Sequence, residues 1–97
     1  MILPKQTQYR ILRTMERELT KTLVHTASEL SELAVECSKA AIEYLKDGHI
    51  PIERINKMSL ELADVLVMLT AITHSVGISD MSIMNAVIEV CERYEQA

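Results

Sequence analysis

Residues 59–77 read SLELADVLVMLTAITHSVG, and this stretch decides the fold of the 97-residue chain. It is apolar on nearly every side at helical spacing, which is typical of a buried helix. Glu61 and Asp64 nevertheless lie one turn apart on it, and no Asp, Glu, Lys or Arg follows between positions 65 and 79. Because a buried carboxylate is tolerated only when it is paired or bound to a metal, the stretch predicts a positive charge facing Glu61 and Asp64.

The composition favours packed helices in a single domain. The chain is 48% hydrophobic but only 3% aromatic, with no Trp and no Phe. Two glycines and two prolines leave few turns, whereas an all-β chain needs many. A chain of this length holds one hydrophobic core. We therefore expect an all-α fold in which residues 1–97 form one domain.

The net charge of −4 is unevenly distributed along the chain. Residues 1–21 carry +3 and the remainder carries −7. An acidic body argues against nucleic acid as a partner and favours a cation site. Arg10, Arg13 and Arg17 share one helical face, which is better interpreted as a solvated surface than as a phosphate-contacting stripe.

The two cysteines and the apolar segments indicate the cellular compartment of the protein. Cys37 and Cys91 lack C-x-x-C spacing and lie at apolar helix positions, so we expect buried thiols rather than a disulfide or a zinc pair. The apolar start ends at Pro4, and the apolar run 62–72 is shorter than the ~20 residues of a membrane span. A cytoplasmic protein without a membrane partner is predicted.

Apolar periodicity and turn residues divide the chain into helices. The expected bounds are 5–18, about 21–46, about 51–76 and 80–95. Gly48 is expected to end the second helix, Pro51 to open the third, and Ser79 or Asp80 to cap the fourth. A break near Glu18–Thr20 is favoured, although helices one and two could also be continuous. These elements predict a four-helix, mostly antiparallel bundle.

The second predicted helix has an apolar face flanked by acids. Its apolar residues are Leu23, Ala27, Leu30, Ala34, Cys37, Ala41 and Tyr44. At 100° per residue, its acidic side chains fall within ~60° of one another; they are Glu29, Glu32, Glu36 and Glu43. Since three short helices cover the apolar third helix poorly, we expect homo-oligomerisation, as a homodimer or homotetramer, to complete the bundle. Tyr9, Tyr44 and Tyr94 are interpreted as core residues.

Two acidic pairs have the same helical spacing. Glu29 and Glu32 are three residues apart, as are Glu61 and Asp64, so each pair lies on one helix face. Antiparallel packing of the two helices would direct four carboxylates into one space, as in the metal sites of helical bundles. Carboxylates without His or Cys suit Mg²⁺ or Mn²⁺ better than zinc.

These motifs carry a resemblance to a known family. E-x-x-E followed after about thirty residues by E-x-x-D resembles the signature of the MazG-like all-α nucleotide pyrophosphohydrolases, relatives of the dimeric dUTPases. The runs ELSELAVECSKAAIEYLKDG and LELADVLVMLTAI, the latter followed by VGIS, are similar to the two motif helices of its short single-domain members. The similarity covers roughly residues 25–80.

The resemblance implies a metal-dependent hydrolase. Its motif positions fall on Glu29, Glu32, Glu61 and Asp64, which would bind Mg²⁺. A metal-activated water would then attack a nucleoside triphosphate and release pyrophosphate and a nucleoside monophosphate. Members often open the first motif with two acids, whereas Ser28 stands at the earlier position here, which puts full activity or the usual substrate choice in doubt.

Three side chains of the second predicted helix have further hypothetical roles. Glu32 is our candidate for positioning or deprotonating the water. Glu36 is either a further ligand or ligand-supporting group, or a solvated acid. Lys39 contacts either a phosphate or Glu36. The alternative function is a non-catalytic helical interaction module with a structural acidic cluster. Nothing in the sequence decides the base or sugar of a nucleotide.

Overall fold

Four α-helices make up the part of the chain that the structure describes. The structure, a computed structural model, describes residues 3–15 and 18–96. The helices are α1 (Lys5–Thr14), α2 (Leu19–Asp47), α3 (Ile52–Val76) and α4 (Asp80–Gln96), and the described residues contain no strand. The predicted all-α class is confirmed.

Glycine ends α2 and α3 where the sequence predicted, and α3 begins at Ile52, directly after Pro51. Gly48 ends α2 with φ 74°, and its N–H donates to the Tyr44 carbonyl at 2.8 Å. Gly77 ends α3 with φ 82°. These left-handed conformations favour glycine because they penalise a Cβ. At the start of α4, the Ser79 hydroxyl accepts the backbone N–H of Ser82 at 3.1 Å, so Ser79 is the cap.

The junction of α1 and α2 departs from the expected bounds. α1 ends at Thr14, four residues before the predicted end, and Met15 is extended with ψ 155°. α2 begins at Leu19, which confirms a break near Glu18–Thr20. Glu16 and Arg17 lie outside the described residues, so the predicted Arg10, Arg13 and Arg17 stripe is described only in part.

α2 and α3 pack as an antiparallel hairpin along a regular seam. We define the α2–α3 seam as the buried and half-buried residues that recur on the two helices at alternating intervals of three and four. On α2 they are Thr22, Thr26, Glu29, Leu33, Glu36, Ala40 and Glu43; on α3 they are Arg54, Met58, Glu61, Val65, Met68 and Ile72. This is the spacing of a coiled-coil seam. Acidic side chains therefore occupy positions where a coiled coil ordinarily has apolar ones.

Beyond the acids, the seam buries small and threonine side chains. Thr22 and Thr26 are buried, and their hydroxyls donate to the carbonyls of Glu18 and Thr22, one turn back. This bond satisfies a buried hydroxyl inside the helix. Met68 is 2% exposed. α1 packs on α3, and Ile11 is its buried residue.

α4 packs against none of the other three helices within the described residues. Its apolar side is open and forms a groove lined by Ile78, Ser82, Ile83, Ala86, Val87, Val90, Cys91 and Tyr94. The radius of gyration is 15.9 Å, against about 12–13 Å for a compact chain of this length. The chain on its own therefore does not close the predicted bundle.

Several residues expected inside the chain lie on its surface. The predicted apolar face of α2, from Leu23 to Tyr44, is exposed along its whole length, because the seam runs one residue earlier. Cys37 and Cys91 are exposed, so the prediction of buried thiols is wrong for the single chain; both thiols are free, in agreement with the prediction of no disulfide. Tyr9, Tyr44 and Tyr94 are exposed too.

By length and composition, α3 is apolar enough to cross a membrane. The prediction of no membrane span used only residues 62–72, whereas the whole helix spans 25 residues. One helix of this kind is weak evidence for a membrane span, and the seam side of α3 carries Arg54 and Glu61. The absence of a membrane partner remains a prediction.

Met68 tests the packing of the hairpin. We expect Met68→Ala to lower the free energy of unfolding by about 2–4 kcal/mol, because it leaves a cavity in the seam. Met81→Ala, at a side chain 70% exposed, should change it by less than about 0.5 kcal/mol. Chemical denaturation followed by circular dichroism measures both. Equal effects of the two substitutions would contradict the seam.

Candidate metal centre

Three carboxylates from two helices meet at the middle of the hairpin. One oxygen each of Glu29, Glu32 and Glu61 lies within 4.8 Å of the other two. Glu29 and Glu61 belong to the seam, and Glu32 lies one turn after Glu29 at its edge. The antiparallel packing of α2 and α3 thus joins residues that are far apart in sequence.

Two oxygens of this cluster are buried without a hydrogen-bond partner. They are Oε2 of Glu29 and Oε2 of Glu61. The other oxygen of Glu29, Oε1, lies 3.1 Å from Nε2 of His25, one turn back on α2. Buried polar atoms of native proteins are almost always paired, so these two oxygens set the cluster apart from an ordinary group of solvated acids.

The cluster raises the pKa of Glu61 above its ordinary value. Burial is the largest cause, and the neighbouring charges of Glu32, Asp64 and Glu29 act in the same direction, as does a hydrogen bond with Glu32. Each of these effects disfavours the ionised form of Glu61. A cation placed among the carboxylates would act in the opposite direction.

Asp64, the fourth predicted ligand, lies outside the group of three. It is exposed on α3, one turn after Glu61, and its charge still acts on Glu61. The structure thus brings together three of the four predicted acids and leaves Asp64 at the border of the cluster, where a carboxylate has to turn inward to reach a shared ion.

Glu36 is held away from the cluster by Arg54. The Nη1 of Arg54 donates to Oε2 of Glu36, and its Nε donates to Oε1 of Glu43 at 2.6 Å. The hydrogen bond from Arg54 keeps the pKa of Glu36 below its ordinary value, while the bonds to Glu43 and Glu36 raise the pKa of Arg54. Glu36 is thus an ion-pair partner here rather than a member of the carboxylate group.

Arg54 and the two carboxylates that it contacts, Glu36 and Glu43, form an arginine clamp. The clamp lies about two helical turns from the carboxylate cluster. Arg54 precedes Glu61 by seven residues, and Glu36 follows Glu29 by seven. Seven residues are about two turns, so the clamp and the cluster occupy the same side of the hairpin. From the sequence, Arg54 was only a weak candidate for a phosphate contact, although its seven-residue distance from Glu61 is a signal that could have placed it beside the acids of α2. The i, i+4 spacing of His25 and Glu29 was a second such signal.

Lys39 is close to the clamp and not to the three carboxylates. Its Nζ lies 4.0 Å from Oε1 of Glu36, and its side chain is half-exposed. This contact is the ion pair with Glu36 that the sequence offered as the alternative to a phosphate contact for Lys39. The charge of Lys57 on α3 also reaches Glu36, so positive side chains border the acidic cluster on one side.

The donor set fits a hard divalent cation. Carboxylate oxygens are preferred ligands of Mg²⁺ and Mn²⁺, and Glu29, Glu32 and Glu61 each offer one such oxygen within 4.8 Å of the other two. The described residues of the cluster offer no thiolate, and the nearest imidazole belongs to His25. The comparisons add no precedent, since no protein family, curated protein or solved structure matches this chain.

Arg54 tests the clamp. We expect Arg54→Met to lower the melting temperature by several degrees, because it removes the hydrogen-bonded ion pairs that the partly buried carboxylates of Glu36 and Glu43 make with Arg54. Arg93→Met breaks an exposed pair with Glu89 and should lower it by much less. Differential scanning calorimetry measures the melting temperatures of both variants and of the wild type. Similar losses in both would contradict the clamp.

Glu61 tests the electrostatics of the cluster. In chelator-treated protein, Glu61→Gln should raise the melting temperature at pH 7. The pKa of Glu61 is raised in the folded state, so folding favours its protonated form. That stabilisation is present below the ordinary pKa of 4.5 and lost as pH rises through the folded pKa.

The difference between Glu61→Gln and the wild type should therefore be small below pH 4.5 and grow as the pH rises above it. Glu92→Gln, at an exposed position on α4, which contacts neither α2 nor α3, provides the matched control. A Glu61→Gln difference that stays constant from pH 4 to 7 would contradict the predicted effect.

Proposed function

We propose that this chain is a Mg²⁺-dependent nucleotide pyrophosphohydrolase. The observation that carries the proposal is the meeting of Glu29, Glu32 and Glu61, with two buried oxygens unpaired. The resemblance of the two motif helices to the MazG-like pyrophosphohydrolases supports the same reaction. The substrate class is the nucleoside triphosphates, and the products are a nucleoside monophosphate and pyrophosphate.

We assign metal binding to all four acids and give Glu32 a second role in the reaction with water. Glu29 and Glu61, fixed in the seam, would hold the cation together with Glu32, and Asp64 would join by turning inward. A divalent cation, when bound, neutralises phosphate charge and lowers the pKa of a coordinated water. Glu32 is exposed, so it can reach a water at the surface of the cluster and accept its proton.

The reaction needs little covalent chemistry from the protein. Water adds to phosphorus and the anhydride bond between the α- and β-phosphates breaks, so positioning and charge neutralisation dominate. Lys39 is half-exposed and its contact with Glu36 is long, at 4.0 Å. It can therefore leave Glu36 and move toward the phosphates of a bound nucleotide. Mn²⁺ would serve in place of Mg²⁺ because it takes the same oxygen ligands.

We also propose that the chain functions as a homo-oligomer, as a homodimer or homotetramer. The open side of α4 and the exposed apolar face of α2 support this proposal, because a soluble monomer rarely exposes large contiguous apolar patches. A second copy would then complete the four-helix bundle that one chain does not close.

Pyrophosphate release tests the proposed reaction. Purified protein with Mg²⁺ should hydrolyse at least one member of a nucleoside triphosphate panel, with the monophosphate identified as the other product. Glu61→Gln should reduce the rate by about 100-fold or more, because the cation that neutralises the phosphate charge would lose one of its anionic ligands. Glu53→Gln, at an exposed position on the same helix, should leave the rate unchanged.

Metal binding provides a readout that does not depend on activity. Mg²⁺ should raise the melting temperature of the wild type, because a ligand that binds only the folded state stabilises it, and should have a smaller effect on Glu61→Gln. A cation-dependent shift without turnover of any nucleotide would favour the non-catalytic module. If neither shift nor turnover occurs, the cluster is not a metal site.

A further inference from the structure

The α2–α3 hairpin carries a second apolar surface beside its seam. This lateral face consists of the residues one position after the seam residues. On α2 they are Leu23, Ala27, Leu30, Ala34, Cys37, Ala41 and Tyr44; on the first half of α3 they are Ile55, Ser59 and Leu62. All of them are exposed. The lateral face thus repeats the alternating spacing of three and four without a partner helix.

Helix geometry places the two halves of the lateral face on one side of the hairpin. One residue corresponds to a rotation of 100° about the helix axis. Because α2 and α3 run antiparallel, the same rotation on each helix turns toward the same side. Leu30 on α2 and Leu62 on α3, 46% and 48% exposed, therefore face the same direction.

The carboxylate cluster opens on the opposite side. Glu32 and Asp64 each lie three residues after a seam acid, which is a rotation of about −60° on each helix. By the same antiparallel argument, both turn away from the lateral face. A partner seated on the lateral face would leave the cluster accessible.

We propose that the lateral face is the interface with a second copy of this chain. The proposal rests on the homo-oligomer proposed above and identifies its surface; it does not rest on the reaction. Two hairpins that place their lateral faces together around a twofold axis form a four-helix bundle with helices at the spacing of knobs-into-holes packing.

The exposed area is what a stable dimer requires. The chain exposes 7357 Å², against roughly 5,600 Å² for a compact monomer of this size. The excess of roughly 1,700 Å² per chain includes the open side of α4 and sets an upper limit of about 3,500 Å² for a pair, within the range of obligate homodimers. The lateral face also carries no charged residue, as expected for an interface core.

The decisive experiment is the mass in solution. Size-exclusion chromatography with light scattering should show the wild type as a dimer or a larger even-numbered assembly at micromolar concentration. Leu30→Glu and Leu62→Glu should each weaken association by roughly 100-fold or more, because they bury carboxylates without partners. Leu45→Glu is the matched control; Leu45 is 84% exposed and lies on the side of α2 away from the seam, so association should be unchanged.

Thiol labelling keeps the proposal testable if a Leu→Glu variant fails to fold. In a Cys91→Ser background, Cys37 on the lateral face is the remaining thiol. It should react slowly with a maleimide in the native assembly and rapidly after denaturation. Rapid labelling of a native dimer would overturn this surface while leaving the homo-oligomer in place.

Two results would overturn the proposal outright. One is a wild type that stays monomeric at micromolar concentration. The other is a monomer that cosediments with phosphatidylcholine–phosphatidylglycerol vesicles, since the lateral face would then contact lipid. Neither result depends on nucleotide turnover, so failure of the interface and failure of the proposed reaction are distinguishable.

Discussion

The structure depends on acidic side chains placed in an apolar helix seam. Glu29 and Glu61 occupy seam positions that an ordinary coiled coil fills with aliphatic residues. Their carboxylates approach each other and Glu32 across the hairpin, and Oε2 of each is buried without a partner. Like charges in such a space oppose the packing that brings them together. The register of α2 on α3 must therefore be fixed by other contacts.

The contacts that fix the register lie on both sides of the acids. Toward the loop, Arg54 bonds to Glu36 and Glu43 on α2, two turns from the cluster. A shift of one turn along either helix would separate these charges. Toward the other end, Met68 and Val65 are buried in the apolar half of the seam. The cluster is held between a polar clamp and an apolar core, which is the support that a precise ligand site requires.

Sequence patterns predicted the elements better than the surfaces. Gly48, Pro51 and Gly77 act locally, so the ends of α2 and α3 followed from residue type. The pairing of Glu29 and Glu32 with Glu61 also followed, because three-residue spacing and antiparallel neighbours suffice to bring these acids together. The apolar face of α2 did not predict its partner. Two adjacent heptad stripes exist on that helix, and α3 packs on the one containing Glu29, Glu36 and Glu43. Hydrophobicity alone favours the other, whereas the ion pairs of Arg54 with Glu36 and Glu43 favour this one.

That choice of stripe explains why the chain exposes so much apolar surface. A helix can present about 100° of its circumference to each neighbour, and α2 offers one sector to α3 and the adjacent sector, from Leu23 to Tyr44, to solvent. Covering the second sector with another hairpin would also hold α2 and α3 in the register that the clustered acids oppose. Under the two proposals made above, the cation removes the repulsion inside the hairpin, and the second copy stabilises the hairpin from its opposite side. Both ligands would then bind the same folded hairpin, and each would strengthen the binding of the other, because such coupling is reciprocal.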